Sequence, residues 1–287
     1  MIDPGVCVIV VSFNSGDEAN ACVRSVAGDL AAVDWQAIVV DNASRDGSGD
    51  RLTPTPQVQV VRNATNRGFG SAVNQAARLT RAPLLWLLNP DCRVEPGAFA
   101  ALRETLDRHA ECAIAAPQLL NADGTVQASA RGEPTAWTGL FGRHGLLARL
   151  LPRAAMTRRN LQSADLVAAG AASTAVDWVM GASMLVRREM FDAVGGFDER
   201  YFLYWEDADL CHRLRDRGWS TRFVPRARVI HSGGASAKTS SRLAIRAFHQ
   251  SAYRYYATHV VRSPLHPARW FARAALTLRA WWRMRRA

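Results

Sequence analysis

The sequence predicts an α/β fold with a mostly parallel, Rossmann-like central sheet flanked by helices and a helical C-terminal extension. Two observations predict it. In the first half, short apolar runs of strand length alternate with segments of helical periodicity, and from residue 242 onward the pattern is helical throughout. Strands that alternate with helices form parallel sheets, and such sheets bind ligands beyond the carboxyl ends of their strands.

The strand predictions rest on runs of apolar and β-branched residues. Residues 6–13 (VCVIVVSF) and 84–88 (LLWLL) are almost continuously apolar, which is typical of strands buried on both faces. The other predicted strands are residues 37–40, 58–61, 112–116, 176–179, 183–186, 221–224 and 228–231. The predicted helices cover residues 17–26, 68–79, 96–109 and 205–217.

Periodicity divides the chain into three parts. Residues 1–232 form the predicted α/β domain, and residues 233–287 form a basic helical C-terminal extension. Within the domain, residues 131–175 are rich in Gly, Ala and Arg and have weak periodicity, which predicts a variable insertion.

The charge of the chain is concentrated at its C-terminal end. The 287 residues have a net charge of +11, but residues 217–287 contain fourteen Arg, one Lys and no acid, so residues 1–216 carry −4. A mildly acidic body argues against a nucleic-acid-binding protein, and the basic tail predicts contact with an anionic surface.

The cysteine pattern and the hydropathy indicate in which cellular compartment the protein is expected to occur. The five Cys show no CxxC spacing and their number is odd, which argues against a zinc site or a disulfide framework and favours a reducing cytosol. No signal peptide is visible at the N-terminus. We also find no uncharged apolar run of about 18 residues, the length that a spanning helix needs.

Two motifs follow predicted strands and suit a nucleotide. Asp41 ends a strand, where a carboxylate can accept hydrogen bonds from a nucleobase or ribose; the alternative is a turn or helix cap. In residues 66–74 (NRGFGSAVN) two glycines open a helix, so backbone N–H groups can face a diphosphate. The alternative for this motif is an ordinary glycine-containing loop before a helix.

A third motif suits a divalent cation. Asp91 follows the apolar run 84–88, where an unpaired carboxylate is costly, and a cation bridging it to a diphosphate would remove that cost. Mg²⁺ and Mn²⁺ take such oxygen ligands. The alternative is a polar loop broken by Pro90. His231 ends the last predicted strand; a lone His there is usually structural, but a neutral imidazole can also complete a metal shell.

The densest constellation contains three acids. Glu206, Asp207 and Asp209 lie within four positions and follow the aromatic-rich residues 201–205 (YFLYW). A carboxylate against aromatic rings has a raised pKa and can act as a general base. The alternative is that the helix dipole favours acids in a first helical turn. That alternative accounts for one or two acids but not for the aromatic residues, so the block indicates a catalytic site.

In this order the features resemble family 2 of the inverting glycosyltransferases, which have the GT-A fold, and within it the rhamnosyltransferase-like branch. The resemblance covers about residues 6–232, with residues 131–175 matching poorly. It is carried by VVSFN, VVDNAS, NRGFGSAVNQA, LLNPD and the long block that begins ASMLVRREMF and ends DLCHRLRDRGW.

The resemblance implies roles for individual residues. Asp91 would hold Mg²⁺ or Mn²⁺ with His231 as a further ligand, and Glu206 and Asp207 would supply the catalytic base with support from Asp209. Which of the two adjacent acids is the base stays open. The implied nucleotide-sugar-binding residues are Ser12, Asn14, Asp41, Asn42, Arg67, Gly68 and Asn89.

One departure from the family pattern concerns Asn89. The family's metal motif often has Asp at this position, and an amide oxygen is a neutral and weaker metal ligand. The implied metal site therefore depends mainly on Asp91.

The implied reaction is a single in-line displacement that inverts the anomeric carbon. The metal neutralises the leaving diphosphate, and a carboxylate removes the proton of the acceptor hydroxyl. The expected donor is dTDP-L-rhamnose, with UDP- and GDP-sugars open. The expected acceptor is a glycan or polyprenyl-linked glycan of the cell envelope, with residues 131–175 as its loop. The alternatives are a sugar nucleotidyltransferase and a membrane-docked nucleotide-sugar-binding protein without transfer activity.

The C-terminal extension contains an amphipathic helix. Its apolar stripe consists of Trp270, Phe271, Ala274, Leu278, Trp281 and Trp282. Arginines surround this stripe, a composition typical of a helix that lies in a lipid interface. We therefore expect a cytoplasmic protein bound peripherally to the inner face of the cell membrane. The alternative is that the helix docks on the catalytic domain or on a second copy of the chain as a homodimer.

Overall fold

The computed structural model describes residues 4–134, 163–233 and 241–286. In these residues nine strands form one central sheet, and two short strands, β7 (Ala130–Arg131) and β9 (Trp178–Val179), form a separate ladder. The strands of the central sheet are β1 (Val6–Ser12), β2 (Trp35–Asp41), β3 (Val58–Arg62), β4 (Leu84–Leu88), β5 (Cys92–Val94), β6 (Cys112–Leu120), β8 (Thr174–Val176), β10 (Ser183–Arg187) and β11 (Ser220–His231).

The sheet is mixed, with most strands pointing the same way. Strands β3, β2, β1 and β4 pair in parallel in that order. Strand β10 lies between β4 and β6 and is antiparallel to both, and β11 continues in parallel with β6. Strands β5 and β8 are antiparallel to β11. The mostly parallel sheet was predicted, but the reversed direction of β10 was not.

Helices cover both faces of the sheet and form the C-terminal extension. They are α1 (Glu18–Asp29), α2 (Ser48–Arg51), α3 (Phe69–Ala77), α4 (Ala98–Arg108), α5 (Ser163–Ala168), α6 (Arg188–Ala193), α7 (Glu206–Asp216), α8 (Ser241–Tyr255) and α9 (Pro267–Met284). A π-helical turn, Tyr256–Val260, continues α8.

Two apolar cores lie on opposite faces of the sheet. Alternate residues of β1 enter different cores: Val8 packs in the core that includes α1 and α4, and Ile9 in the core that includes α3 and α7. Successive side chains of a strand point to opposite faces, so a strand covered on both sides must be apolar at every position. All seven residues of β1 are buried, as the apolar run predicted.

Three elements differ from the prediction. Residues 221–224 and 228–231 are one bulged strand, β11, because the chain remains beside β6 through a register shift between Val224 and Arg228. Strand β5 was not predicted. Of the predicted insertion 131–175, residues 135–162 lie outside the described residues; the remainder includes α5 and β8.

All five Cys are free and buried. Within the described segments, none of the helices combines the length and the apolar character that crossing a membrane requires.

Helix α3 is fastened to the loop that precedes α7. The Asn74 side-chain oxygen accepts a hydrogen bond from Phe197 N (2.9 Å), and its amide nitrogen donates to Phe197 O (2.9 Å) and Glu199 Oε1 (3.1 Å). At Gly70 a Cβ atom would lie only 2.9 Å from Phe197 Cβ. The second glycine of NRGFG therefore allows two segments of the protein to pack closely.

We predict that Asn74→Ala lowers the free energy of unfolding by about 1–3 kcal/mol, because it leaves the backbone N–H and C=O of the buried Phe197 without their side-chain partner. Urea denaturation measures the change. The control is Asn20→Ala, which removes a single solvent-exposed hydrogen bond to Arg51 O and should cost less than about 0.5 kcal/mol. Equal losses in the two variants would contradict this assignment.

Candidate active site

The carboxyl ends of β1 and β2 bring together four of the residues predicted to bind the nucleotide. Ser12 and Asp41 are register partners, and both are buried, as is Asn42. Asn14 has a φ of 50°, and its side-chain oxygen accepts a hydrogen bond from Arg45 N (2.8 Å). The predicted set therefore lies along one edge of the sheet.

Asn42 holds in place residues 66–68, which we call the glycine loop. Its amide nitrogen donates to Asn66 Oδ1 (2.9 Å) and Gly68 O (3.1 Å), and its side-chain oxygen accepts from Arg67 N (3.1 Å) and Asn63 Nδ2 (3.1 Å). An amide side chain has two donor and two acceptor positions, and here each is used within the protein. Asn42 thus positions the loop that contains Arg67 and Gly68.

Gly68 allows a close approach between two backbone segments. Its φ is +84°, a Cβ atom there would overlap Phe202 O, and the next residue, Phe69, donates its N–H to the same oxygen (3.0 Å). Only glycine fits this position without strain. The loop therefore rests on the aromatic segment that precedes α7, while the neighbouring Arg67 is exposed.

The predicted metal residues meet at the end of β4. His231 Nε2 lies 3.5 Å from Asp91 Oδ1 and 3.3 Å from Asn89 Nδ2. Asp91 and His231 are both buried. They come together because the C-terminal end of β11 pairs with β5, which directly follows Asp91.

Gln127 orients the imidazole of His231. The Gln127 amide nitrogen donates to His231 O (2.6 Å) and to Asn121 Oδ1 (2.8 Å), so its oxygen must be the acceptor that faces His231 Nδ1 (2.9 Å). The proton of a neutral His231 therefore lies on Nδ1, and the lone pair of Nε2 points toward Asp91 and Asn89.

The Asp91 carboxylate and the His231 imidazole suit a hard divalent cation whose other coordination positions are filled by oxygen atoms of a nucleotide or of water. No group of three or more His, Cys, Asp or Glu side chains arranged to hold a metal occurs in residues 4–134, 163–233 and 241–286. A carboxylate and an imidazole nitrogen leave most positions of an octahedral shell for phosphate oxygens and water, as is usual for Mg²⁺ beside a nucleotide. The residues therefore fit the cation implied by the resemblance.

Glu206 and Asp207 begin α7 in different environments. Glu206 is 6% exposed, and its Oε2 is buried without a hydrogen-bond partner among the described residues. Burial and the neighbouring charge of Asp207 raise the pKa of Glu206 well above its usual range. Asp207 is half-buried and accepts hydrogen bonds from Gly181 N (2.9 Å) and Ala208 N (2.8 Å).

Burial also raises the pKa of Asp207, but the two N–H groups act in the opposite direction. Hydrogen bonds donated to a carboxylate favour its ionised form, and Glu206 Oε2 receives none. Of the two acids, Asp207 is therefore the one whose negative charge the protein stabilises.

Gly181 and Ala182 connect Asp207 to residues 89–91, the segment after β4 that we call the metal loop. Gly181 donates its N–H to Asp207 Oδ2 (2.9 Å), and Ala182 O accepts the N–H of Asn89 (2.9 Å). The backbone before β10 thus bridges the start of α7 and the end of β4. Asp207 and Asp91 consequently lie at the same edge of the sheet.

A cavity of about 510 Å³ opens beside this edge. It is lined by residues 14–18, 45 and 46, which include Asn14. Burial and the nearby charge of Asp91 raise the pKa of Glu18, one of the lining residues. Glu18 of the cavity lining is therefore close enough to Asp91 for their charges to interact.

Asp209 lies in a buried ion-pair network. It is 1% exposed, with Oδ2 2.7 Å from Arg213 Nε and Oδ1 2.7 Å from His259 Nε2. Arg213 also donates to the carbonyl oxygens of Val194 and Gly196. Asp209 thus anchors α7 both to the loop before it and to the C-terminal extension.

Sequence reasoning missed Gln127, Gly181 and His259. Gln127 is 104 residues from His231, and His259 is 50 residues from Asp209. Gly181 acts through its backbone N–H, which leaves no side-chain signal. Only the folded chain shows these three partners.

Comparisons with known proteins support the expected family. The model of "Glycosyl transferase family 2" matches residues 7–160, and that of "Glycosyl transferase family group 2" matches residues 146–285. An N-acetylglucosaminyl-diphospho-decaprenol L-rhamnosyltransferase of Mycobacterium tuberculosis is 33% identical over 290 residues, covering 95% of this chain and 91% of that protein. Rhamnosyltransferase WbbL of Escherichia coli is 42% identical over 84 residues, 29% of this chain and 32% of that protein.

Solved structures confirm the fold. GalNAc-T7 with UDP, GalNAc and Mn²⁺ has a TM-score of 0.63 at 16% identity, covering 92% of this chain and 52% of that one, so this chain spans about half its length. The mannosyltransferase PcManGT of Pyrobaculum calidifontis, in complex with GDP-Man and Mn²⁺, has a TM-score of 0.59 at 15% identity, covering 99% and 72%. At these identities the likeness concerns the fold alone.

The family expected from the acidic block and the strand-end motifs is thus confirmed. Since the family model covers more than half of the chain and the mycobacterial relative nearly all of it, this protein belongs to glycosyl transferase family 2, and its α/β architecture is the GT-A fold.

Proposed function

We propose that this glycosyltransferase moves L-rhamnose from dTDP-L-rhamnose, with inversion, to a hydroxyl of a polyprenyl-diphosphate-linked glycan of the cell envelope. The observation that carries the transfer chemistry is that Asp207 and the pair Asp91 and His231 lie at one edge of the sheet, joined by residues 181–182. Rhamnose and a lipid-linked acceptor are proposed because the mycobacterial relative named for them matches 95% of the chain.

The donor nucleotide binds at the ends of β1 and β2 in this proposal. Asn14 lines the cavity of about 510 Å³, Ser12 and Asp41 lie buried at the ends of the neighbouring strands, and the exposed Arg67 meets the diphosphate. Asp91 and His231 would hold Mg²⁺ or Mn²⁺, with Asn89 beside them. When bound, such an ion neutralises the charge of the leaving diphosphate.

Asp207 is the proposed catalytic base. Its two hydrogen bonds from backbone N–H groups favour the carboxylate, while burial raises its pKa toward the range in which a base is effective. Glu206 is buried and its Oε2 receives no hydrogen bond among the described residues, so burial and the charge of Asp207 raise its pKa and disfavour its carboxylate form; we therefore assign the base to Asp207. The intact acidic pair argues against the alternative of a binding protein without transfer activity.

Residues 1–232 act as the catalytic domain, and residues 131–175 as the loop that meets the acceptor. Residues 135–162 of this loop lie outside the described residues. The part that is described reaches the catalytic helix, because Glu133 Oε1 forms an ion pair with Arg215 of α7 (2.6 Å). An acceptor bound by the loop would therefore lie near α7.

The extension holds the protein on the anionic inner face of the membrane. Helix α9 buries one face of small and aliphatic residues, Ala272, Leu276 and Ala280, and α8 packs against this helix. The opposite stripe is exposed, with Trp270 at 67% and Phe271 at 76%. The other large apolar residues exposed on α9 are Leu278, Trp281 and Trp282.

The charges around this stripe favour a lipid interface over a second copy of the chain. Arg285 and Arg286 lie over the rings of Trp281 and Trp282, at 3.9 and 3.5 Å from the ring centroids. Lipid phosphates satisfy such cations, whereas a homodimer through the same face would bring like charges together.

We predict that Asp207→Asn lowers kcat for rhamnosyl transfer by about 10²- to 10⁴-fold while binding of the donor nucleotide persists, since a general base contributes that much. The assay supplies dTDP-L-rhamnose, Mn²⁺ and a polyprenyl-diphospho-N-acetylglucosamine acceptor. The matched control is Glu206→Gln, which replaces the neighbouring carboxyl with an amide of similar size and should lose much less. A larger loss in Glu206→Gln would reverse the assignment, and absence of transfer by the wild-type chain with any nucleotide sugar would refute the function.

We predict that dTDP and Mn²⁺ together raise the apparent Tm of the wild-type protein and that Asp91→Ala abolishes the rise caused by Mn²⁺. A ligand that binds only the folded state stabilises it, and the variant lacks the carboxylate that holds the ion. Differential scanning fluorimetry checks this without activity. Asp107→Ala, which removes an exposed acid paired with Arg103, serves as control and should respond like wild type. A Mn²⁺-dependent rise that survives in Asp91→Ala would argue against this metal site.

We predict that the double variant Trp270→Ser and Phe271→Ser binds phosphatidylglycerol vesicles at least about tenfold more weakly, because each large apolar side chain contributes about 1.5–3 kcal/mol on burial. Co-sedimentation with vesicles measures binding. Leu79→Ser is the control, because Leu79 is 49% exposed but follows α3, away from the extension. If the double variant binds as well as the control but loses self-association, the stripe is a dimer interface.

A further inference from the structure

One face of α8 contacts the chain that leads into the acidic pair. Phe248, Ser251, Tyr255 and His259 are spaced by three or four residues, so they project from the same side of α8 and its π-helical turn. Ser251 and Tyr255 are buried, and the His259 side chain is 7% exposed. We call this set the α8 face.

The α8 face contacts residues 203–205, which directly precede α7 and which we call the aromatic turn. The contact consists of ring packing and one hydrogen bond. The ring of Phe248 lies 5.9 Å from that of Tyr204 and 6.0 Å from that of Trp205, measured between centroids. Tyr255 stacks at 5.2 Å from Trp205. Ser251 Oγ donates a hydrogen bond to the backbone oxygen of Leu203 (3.0 Å).

His259 extends the contact onto α7 itself. Its Nε2 lies 2.7 Å from Asp209 Oδ1, and its ring lies 4.1 Å from that of His212, the next turn of α7. Both members of the pair with Asp209 are nearly fully buried, so solvent screens their interaction little.

The aromatic turn needs such support because its backbone is strained. Tyr204 and Trp205 have φ values of 67° and 70°, and a residue with a side chain in this left-handed region costs on the order of 1–3 kcal/mol. Trp205 O accepts the N–H of Asp209 (2.9 Å), so the strained residue also begins α7. Glu206 and Asp207 follow it directly, and their direction depends on this turn.

We propose that the α8 face is a brace for the catalytic helix, and that Ser251 and His259 are positioning residues that hold the turn and α7 so that Asp207 meets Gly181 N. The extension therefore belongs to the active-site architecture in addition to its membrane role. This inference rests on the proposed function, because it assigns Ser251 and His259 an effect on the chemical step.

The test uses full-length protein and compares His259→Leu, His259→Gln and Ser251→Ala in the rhamnosyl-transfer assay. Glutamine can donate an amide N–H to Asp209 in place of Nε2, whereas leucine cannot. We expect His259→Leu to lower kcat at least about tenfold, since small displacements of a catalytic group have effects of this size. The KM for the donor should stay within about twofold, because within the described part of the chain His259 contacts α7 and Tyr255 and none of the proposed donor-binding residues.

A replacement that can still donate a hydrogen bond to Asp209 should retain most of kcat. His259→Gln is expected to retain kcat within about threefold of wild type, and Ser251→Ala to lower kcat with an unchanged donor KM. Gln250→Ala is the matched control, because Gln250 is an exposed residue of α8. Thermal unfolding of each variant shows whether it is folded at the assay temperature.

The proposal is overturned if His259→Leu keeps the wild-type kcat, if His259→Gln is as impaired as His259→Leu, or if kcat and donor KM change in parallel. If His259→Leu does not fold, Ser251→Ala decides, because it removes a single hydroxyl; a wild-type kcat in that variant refutes the brace. A wild-type chain that transfers no sugar refutes the proposed function instead, so the two failures are distinguishable.

Discussion

Two adjacent carboxyl groups at the start of α7 impose the constraint on which the rest of this site depends. Glu206 is buried directly beside the half-buried Asp207, so the two carboxyl groups do not ionise together easily, because like charges repel strongly where little water screens them. The protein gives the two carboxyl groups different hydrogen-bond environments. Asp207 receives N–H groups from Gly181 and Ala208, whereas Glu206 Oε2 is buried without a hydrogen-bond partner among the described residues.

The hydrogen bond to Asp207 requires Gly181 to lie at the edge of the sheet beside α7. Strand β10 places it there. A strand inserted between β4 and β6 in the reversed direction begins at the edge where the parallel strands end. The residues just before it, Gly181 and Ala182, therefore reach both the acidic pair and the metal loop. A fully parallel sheet would have placed the start of this strand at the opposite edge.

Much of the sheet and part of the site were predictable from local patterns. Continuous apolar runs predict β1 and β4 because a strand buried on both faces must be apolar at every position. The family resemblance implied that Asp91 and His231 share a site, and His231 Nε2 lies 3.5 Å from Asp91 Oδ1. The direction of β10 and the contacts of Gln127 and His259 were not predictable, because they depend on pairings between segments far apart in sequence. Strand β5 has only three residues, too few for periodicity to indicate.

Every cationic side chain of α9 is an arginine. A guanidinium group stays protonated at any pH at which a protein remains folded, and it is not a target for acetylation as a lysine amine is. Neither a shift in pH nor a lysine acyltransferase can therefore neutralise this helix. If the helix binds a membrane as proposed, ionic strength and the local density of acidic lipids are the variables that remain to govern how long the protein stays there.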